Sequence, residues 1–306
     1  RKWDSGETLF ELPLGQESIR RYGAIYINVH RGDLHAVLES ALDHGTVAFG
    51  HRLRDVEERE GGTRLAFENG VVAEADIVIG ADGVNSVVRT ALLGAERPRY
   101  SGHVAHRSVF PAERLAGLPI RDCTKWWGEG SHILVYYMTD RREEVYVVSS
   151  VPQAEWRSDR PYLPCERDAF VAAFAGYHPE LRQVVAAAPE VTVWPVFDRE
   201  PVDCWSGGRL VLLGVACHPL RPYMASGAAM AIEDAAVLAG AIADRGTEDP
   251  AESFSWYRAS RRPRVGKVQR ISVANTWFRG PTEPDWLFAY DACAVPLTPP
   301  DEETAQ

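Results

Sequence analysis

The sequence predicts an α/β fold into which a separate antiparallel sheet is inserted, and three observations predict it. Two short apolar runs, Ile77-Val78-Ile79 and Leu210-Val211-Leu212-Leu213, end at glycine, as strands buried inside a sheet do. Apolar residues at helical spacing recur at Leu34, Val37, Leu38, Ala41 and Leu42, and again from Ala228 to Ala243. Between these regions, from about Tyr100 to Val196, the chain turns aromatic-rich and alternating, the pattern of an antiparallel sheet with one buried face.

Taken in order, Ile25, Ile27 and Val29 alternate as a strand would and lead through His30-Arg31-Gly32-Asp33 into the first amphipathic helix, with Asp33 as its expected N-cap. Arg52 to Glu60 and Thr63 to Glu68 form strands joined at Gly61-Gly62, and Asn69-Gly70 turns the chain into Val71-Val72, closing a small meander. Ala75 to Gly80 is a strand buried on both faces, leading through Gly80-Ala81-Asp82-Gly83 into Ser86-Val87-Val88-Arg89. In the middle region His132 to Met138 and Glu144 to Ser150 are strands, with one helix near Arg167 to Ala175. The strand at Arg209 to Leu213 closes at Gly214, and a loop rich in Pro and Gly precedes a long helix that points Met230, Ala231, Ala235, Leu238 and Ile242 at the core. Pro299 to Gln306 has the composition of a frayed tail. The expected domains are residues 1–99, 100–200 and 201–306, the first and third forming one domain around the second.

Composition bounds the function. With 306 residues, 45% hydrophobic and 25% charged, the chain has ample material for a core. No apolar run reaches the length of a membrane span and no secretory segment opens the chain, so a cytoplasmic protein without membrane contact is expected. A formal charge of −10 argues against nucleic acid as a partner. The five cysteines are scattered without a CxxC pair, so they are expected to be reduced, with no metal site. The cluster Arg258, Arg261, Arg262 and Arg264 suits a solvated helix face or a site for one anionic ligand.

Three segments are specific enough to carry a resemblance: His30-Arg31-Gly32-Asp33-Leu34 followed by Leu38, Gly80 to Arg89, and Gly214 to Leu238. Together they resemble the single-component FAD-dependent aromatic monooxygenases built like para-hydroxybenzoate hydroxylase. The string from Ala216-Cys217-His218-Pro219 to Glu233-Asp234-Ala235, with Asn275-Thr276-Trp277 and Asp285-Trp286, is most similar to the 6-hydroxynicotinate 3-monooxygenase and salicylate hydroxylase branch. The resemblance implies an FAD-binding domain of Rossmann type, with the region 100–200 as a substrate domain. It implies that Arg31, Asp82, Gly83, Gly214, Pro222, Gly227, Ala228 and Ala229 bind the cofactor. A helix N-terminus there would favour negative charge on the reduced ring.

Two departures from the family's pattern stand out. No GxGxxG fingerprint occurs near the start, so the Rossmann-like domain is expected to be incomplete, its first βαβ unit missing. The second is Val215, where the family reads Gly-Asp and uses the carboxylate to accept a hydrogen bond from a ribityl hydroxyl. These departures leave open a flavin-free homologue acting as a scaffold or ligand-binding protein, or one half of a split enzyme with a separate N-terminal piece. A homodimer is equally open.

The activity implied by the resemblance is hydroxylation of a phenolic or hydroxypyridine acid by O2, with NADH or NADPH as reductant and a flavin C4a-hydroperoxide as the oxygenating species. The protein's part would be a dry pocket, a proton relay and a clamp for the acid. Tyr223, His218 and Cys217 are the catalytic candidates, with Met224 and Trp277 as substrate contacts. His218, placed before Pro219, also suits a purely structural hydrogen-bonded role. Tyr223 and Ser226 replace the histidine and glutamine usual in the nicotinate-type relatives, which implies a changed substrate.

Overall fold

A computed structural model describes residues 1–300, so most of the tail expected from Pro299 lies outside the described residues. Along the chain come α1 (Gln16–Tyr22), α2 (Arg31–Ser40), β1 (Leu53–Arg59), β2 (Gly62–Phe67), β3 (Val72–Ala75), β4 (Val78–Gly80) and α3 (Val87–Leu93). Next are β5 (Arg99–Pro111), β6 (Cys123–Trp127), β7 (His132–Tyr137), β8 (Glu144–Pro152), β9 (Leu163–Cys165), α4 (Arg167–Ala173), α5 (Pro179–Ala187) and β10 (Val191–Asp198). The last part holds β11 (Ser206–Gly207), β12 (Leu210–Leu212), α6 (Gly227–Arg245), α7 (Pro250–Ala274) and α8 (Asp285–Phe288). No described helix is long and apolar enough to cross a membrane.

The chain divides into two compact units. The first comprises Arg1–His44, Tyr100–Phe197 and Phe278–Glu283; the second comprises Gly45–Arg99, Asp198–Trp277 and the segment from Pro284. Residues 1–44, assigned from the sequence to the first domain, therefore group with the antiparallel sheet, whose strand β6 they meet through a Lys2–Trp127 bridge.

In the first unit six strands form one sheet in the order β6-β7-β8-β5-β10-β9. Side chains alternate across each strand, so one face supplies Phe110, Trp126, Ile133, Val135, Val145 and Val147 to a core closed by Phe170 and Phe174 near α4 and by Leu181, Val184 and Val185 of α5. Helix α5, which the sequence reading missed, begins with Pro179 after His178, whose ring nitrogen caps Glu180 N. The segment containing Ile25, Ile27 and Val29 is not a strand: it has no ladder partner among the described residues, and all three side chains are exposed. In α2 the N-cap is His30, not Asp33, which lies in the first turn, and Val37 and Leu38 are exposed.

The second unit contains the expected meander, β1-β2-β3, and a separate three-stranded sheet ordered β11-β12-β4. Gly61 makes the hairpin turn at φ 84°, a conformation that favours glycine. Strands β12 and β4 run parallel, Leu212 opposite Gly80. Val78 and Gly80 are buried but Ile79 is 43% exposed, so β4 is not buried on both faces as its composition predicted. Helix α6 turns Met230, Asp234, Val237, Leu238 and Ala241 inward; Ala235 is exposed, because a buried carboxylate rather than an alanine occupies the inward stripe. The arginine cluster lies on α7 but is not uniformly solvated: Arg261 is fully buried and Arg264 nearly so, each paired with acids of α6.

Candidate functional site

Parallel pairing places the carboxyl ends of β4 and β12 side by side, with Leu213 N donating to Gly80 O at 3.0 Å. The turns that follow these two strands therefore meet, in the position where α/β sheets bind ligands. Gly80 has no room for a side chain: a Cβ there would stand 2.7 Å from Val88 Cβ and 3.0 Å from Leu212 Cδ2. Gly214 is constrained twice, by φ 60° and by Ala231 of α6, whose Cβ would lie 2.8 Å away.

The Asp82-Gly83 turn organises α3. Asp82 Oδ2 accepts hydrogen bonds from Val87 N at 2.7 Å and Val88 N at 3.4 Å, while Ser86 Oγ accepts from Arg89 N at 2.8 Å. The Asp82 residue is exposed, as is Ala81 beside it, and Gly83 is half-buried. Arg89, missed as a site residue although it closes the quoted motif, is buried and donates from Nη1 to Ala216 O at 3.1 Å and Cys217 O at 2.9 Å. It ties α3, which follows the Asp82-Gly83 turn, to the turn after β12. An arginine within the apolar helix run Val87 to Leu93 was the available signal.

Beneath the Gly214 turn lies a buried ionic network. Asp234 Oδ2 accepts from Gly214 N at 3.1 Å and faces His218 Nε2 at 2.5 Å, and Oδ1 accepts from Arg261 Nε at 2.7 Å. Arg261 Nη2 also lies 2.8 Å from Glu233 Oε2. Burial pushes the Asp234 carboxyl up, but the hydrogen bonds and charges of His218 and Arg261 outweigh it and hold the carboxyl below its usual range. Cys217 is buried beside this carboxylate; burial and the Asp234 charge push its thiol well above the ordinary value, so it stands as a neutral thiol.

From Arg221, which is paired with Asp198, the chain passes through a tight turn at Pro222–Met224 and the left-handed Ala225 before entering α6. Tyr223 and Met224 are buried, and Pro222 is exposed. Ser226 does not cap the helix, because its hydroxyl donates to Met224 O at 3.0 Å. The first turn of α6 thus presents uncapped N–H groups at Gly227, Ala228 and Ala229, with Ala228 and Ala229 exposed and nothing within 4 Å of a Cβ built on Gly227. Trp277 is buried and meets Trp286 and Phe288 edge-on at 5.8 and 6.4 Å.

In the first unit, Arg31 opens α2 and is exposed, its Nε lying 3.4 Å from His35 Nε2. The same unit holds a cluster that the sequence reading missed, on the sheet face opposite the core. Strand register aligns Cys123 with Tyr136 and Tyr146 in one row, Lys125 with Leu134, Val148 and Arg107 in the next, and Trp127 with His132 and Ser150 in the third. Burial pushes the Lys125 ammonium down to about 7, and burial, with the positive charges of Lys125 and His103, pushes His132 far down. Burial raises the phenols of Tyr136 and Tyr146, against the pull of Arg107. Alternation marked these strands, but only their register shows which polar residues gather.

The pattern of the FAD binding domain family matches residues 33–272. A 6-hydroxynicotinate 3-monooxygenase of Bordetella bronchiseptica is 48% identical over 298 residues, covering 97% of this chain and 78% of that protein. One of the same description from Pseudomonas fluorescens is 45% identical, covering 100% of this chain and 80% of the relative. Among solved structures, Klebsiella pneumoniae HpxO complexed with FAD and uric acid superposes with a TM-score of 0.76 at 27% identity, over 94% of this chain and 72% of that one. The chain belongs to the FAD binding domain family.

Proposed function

We propose that this FAD-dependent monooxygenase hydroxylates a phenolic or hydroxypyridine acid, 6-hydroxynicotinate first among them. One oxygen atom of O2 enters the ring and the other leaves as water, with NADH or NADPH giving two electrons; at C3 of 6-hydroxynicotinate the entering oxygen takes the place of the carboxyl group, which leaves as carbon dioxide. The observation that carries the cofactor assignment is the meeting of the Asp82-Gly83 and Gly214 turns beside two parallel strand ends, in a unit whose α6 begins with uncapped N–H groups. That donor set suits an anionic, hydroxyl-bearing ligand, and the open space at Gly227 admits a flat ring.

On this reading β11-β12-β4 with α3 and α6 belong to a Rossmann-like FAD-binding domain, and the six-stranded sheet is the substrate domain inserted into it. Asp82, Gly83, Gly214, Pro222, Gly227, Ala228 and Ala229 of the second unit would hold FAD, which when bound takes a hydride from the nicotinamide and activates O2. Tyr223 is assigned the substrate's proton relay, with Met224 and Trp277 as pocket walls. His218 and Cys217 are assigned positioning roles, since His218 faces Asp234 and Cys217 is a neutral thiol under the turn. Dependence on a nicotinamide reductant fits a cytoplasmic location.

The test is the visible spectrum of the purified chain with added FAD, followed by NADH oxidation with 6-hydroxynicotinate and mass analysis of the product. Bound oxidised flavin and a dihydroxypyridine product, which has gained one oxygen atom and lost carbon dioxide, are expected; a protein that leaves FAD free in solution overturns the reading. Within it, Tyr223→Phe is expected to cut turnover by roughly tenfold to a hundredfold while flavin content holds, the scale of one lost proton relay. Equal loss of turnover and flavin would place Tyr223 in cofactor binding instead.

A further inference from the structure

We propose that Lys125 holds the substrate's carboxylate, with Leu134 and Val148 as the floor beneath the ring and Tyr146 and Arg107 at its hydroxyl end. The proposal rests on the hydroxylated-acid reading above. Its foundation is strand register. Lys125, Leu134, Val148 and Arg107 lie in one row across β6, β7, β8 and β5, so two cations flank a strip of two apolar residues. Three strand spacings separate the outer backbones by roughly 14 Å, and side chains reaching inward leave about the length of a hydroxylated aromatic acid. Lys125, Leu134, Tyr136, Tyr146 and Val148 are all half-buried, so the strip is recessed yet open to a ligand.

The two cations serve different ends. Lys125 is felt by His132 together with His103, whereas Arg107 is felt by Tyr136 and Tyr146. Arg107 lies over the Trp194 ring at 4.8 Å, and Trp194 in turn stacks on Tyr162 at 4.5 Å, so the guanidinium is held on the strand next to that of Tyr146. The Tyr146 phenol, raised by burial, remains a protonated donor through the neutral range and can hydrogen-bond an ionising ring hydroxyl.

Lys125 instead offers a compact ammonium, seated 4.0 Å over the Trp127 ring. Burial disfavours that charge, and a carboxylate arriving beside it restores the charged form. The acid end is therefore assigned to Lys125, and the chemistry selected is an aromatic ring bearing an anion at one end and a hydroxyl at the other.

The experiment titrates 6-hydroxynicotinate and its carboxamide into the FAD-supplemented full chain, following tryptophan fluorescence, for wild type, Lys125→Met, Lys125→Gln and Lys125→Arg. Loss of a charge-assisted contact predicts that Met and Gln raise the Kd of the acid roughly tenfold to a hundredfold. The carboxamide should change less than about threefold, and Arg should restore much of the acid affinity, because it keeps the charge. Acid affinity unchanged in every folded variant, or acid and carboxamide weakened alike, overturns the Lys125 assignment while leaving the hydroxylated-acid reading intact. Wild type that binds neither compound overturns that reading and this proposal with it.

Discussion

Asp234→Asn is expected to lower the melting temperature by roughly 10 °C at neutral pH. Asp234 and Arg261 are both wholly buried, and Asp234 also receives Gly214 N and faces His218. Removing one member of a buried ion pair leaves its partner charge poorly compensated, at about 3–5 kcal/mol. Glu233 still reaches Arg261, so the lower end of that range applies, and each kcal/mol shifts the midpoint of a unit this size by about 2–4 °C. The pH dependence has a definite sign. The folded pKa of Asp234 lies below its unfolded value, so its contribution is complete above roughly pH 4 and disappears as pH falls through the folded pKa. Thermal melts of wild type and variant should differ most at neutral pH and converge on acidification; a gap that is constant across the acid range would assign the loss to packing instead.

Val215→Asp is expected to tighten FAD binding by roughly tenfold to a hundredfold, the worth of one charge-assisted hydrogen bond at about 1.5–3 kcal/mol. Val215 follows Gly214 in the turn beyond β12 and is 41% exposed, so a carboxylate placed there keeps much of its hydration and disturbs no packed side chain. In the resembling monooxygenases an aspartate occupies this position and accepts from a ribityl hydroxyl. Quenching of FAD fluorescence on titration measures the effect directly and independently of turnover. An unchanged or weaker affinity would mean that this turn does not face the ribityl chain, and the assignment of Gly214 would fall with it.

Several elements were legible in the chain itself because their causes are local. The meander followed from Gly61-Gly62 and Asn69-Gly70, and Gly70 does take φ 85° while Asn69 Oδ1 accepts from Val71 N. The Gly80 to Arg89 and Gly214 to Leu238 segments could be recognised because each carries particular residues at fixed spacing within a short stretch, and the family match over residues 33–272 agrees with the family they indicated. The strand expected at Ile25 to Val29 failed for a non-local reason: alternation marks a chain able to pair, and pairing needs a neighbour.

By itself, then, the sequence determined the family, the cofactor class and the turns beside β4 and β12, since each depends on residues close together in the chain. Only the tertiary structure decided that Arg89 bridges two turns 127 positions apart, that Arg261 of a seemingly solvated cluster is buried against Asp234, and that Lys125, Tyr136, Tyr146 and Arg107 share one face. The physical reason is the same in all three cases. A charge is committed to a partner or a ligand by what packs around it, and a one-residue change of strand register would have turned Lys125 to the opposite face.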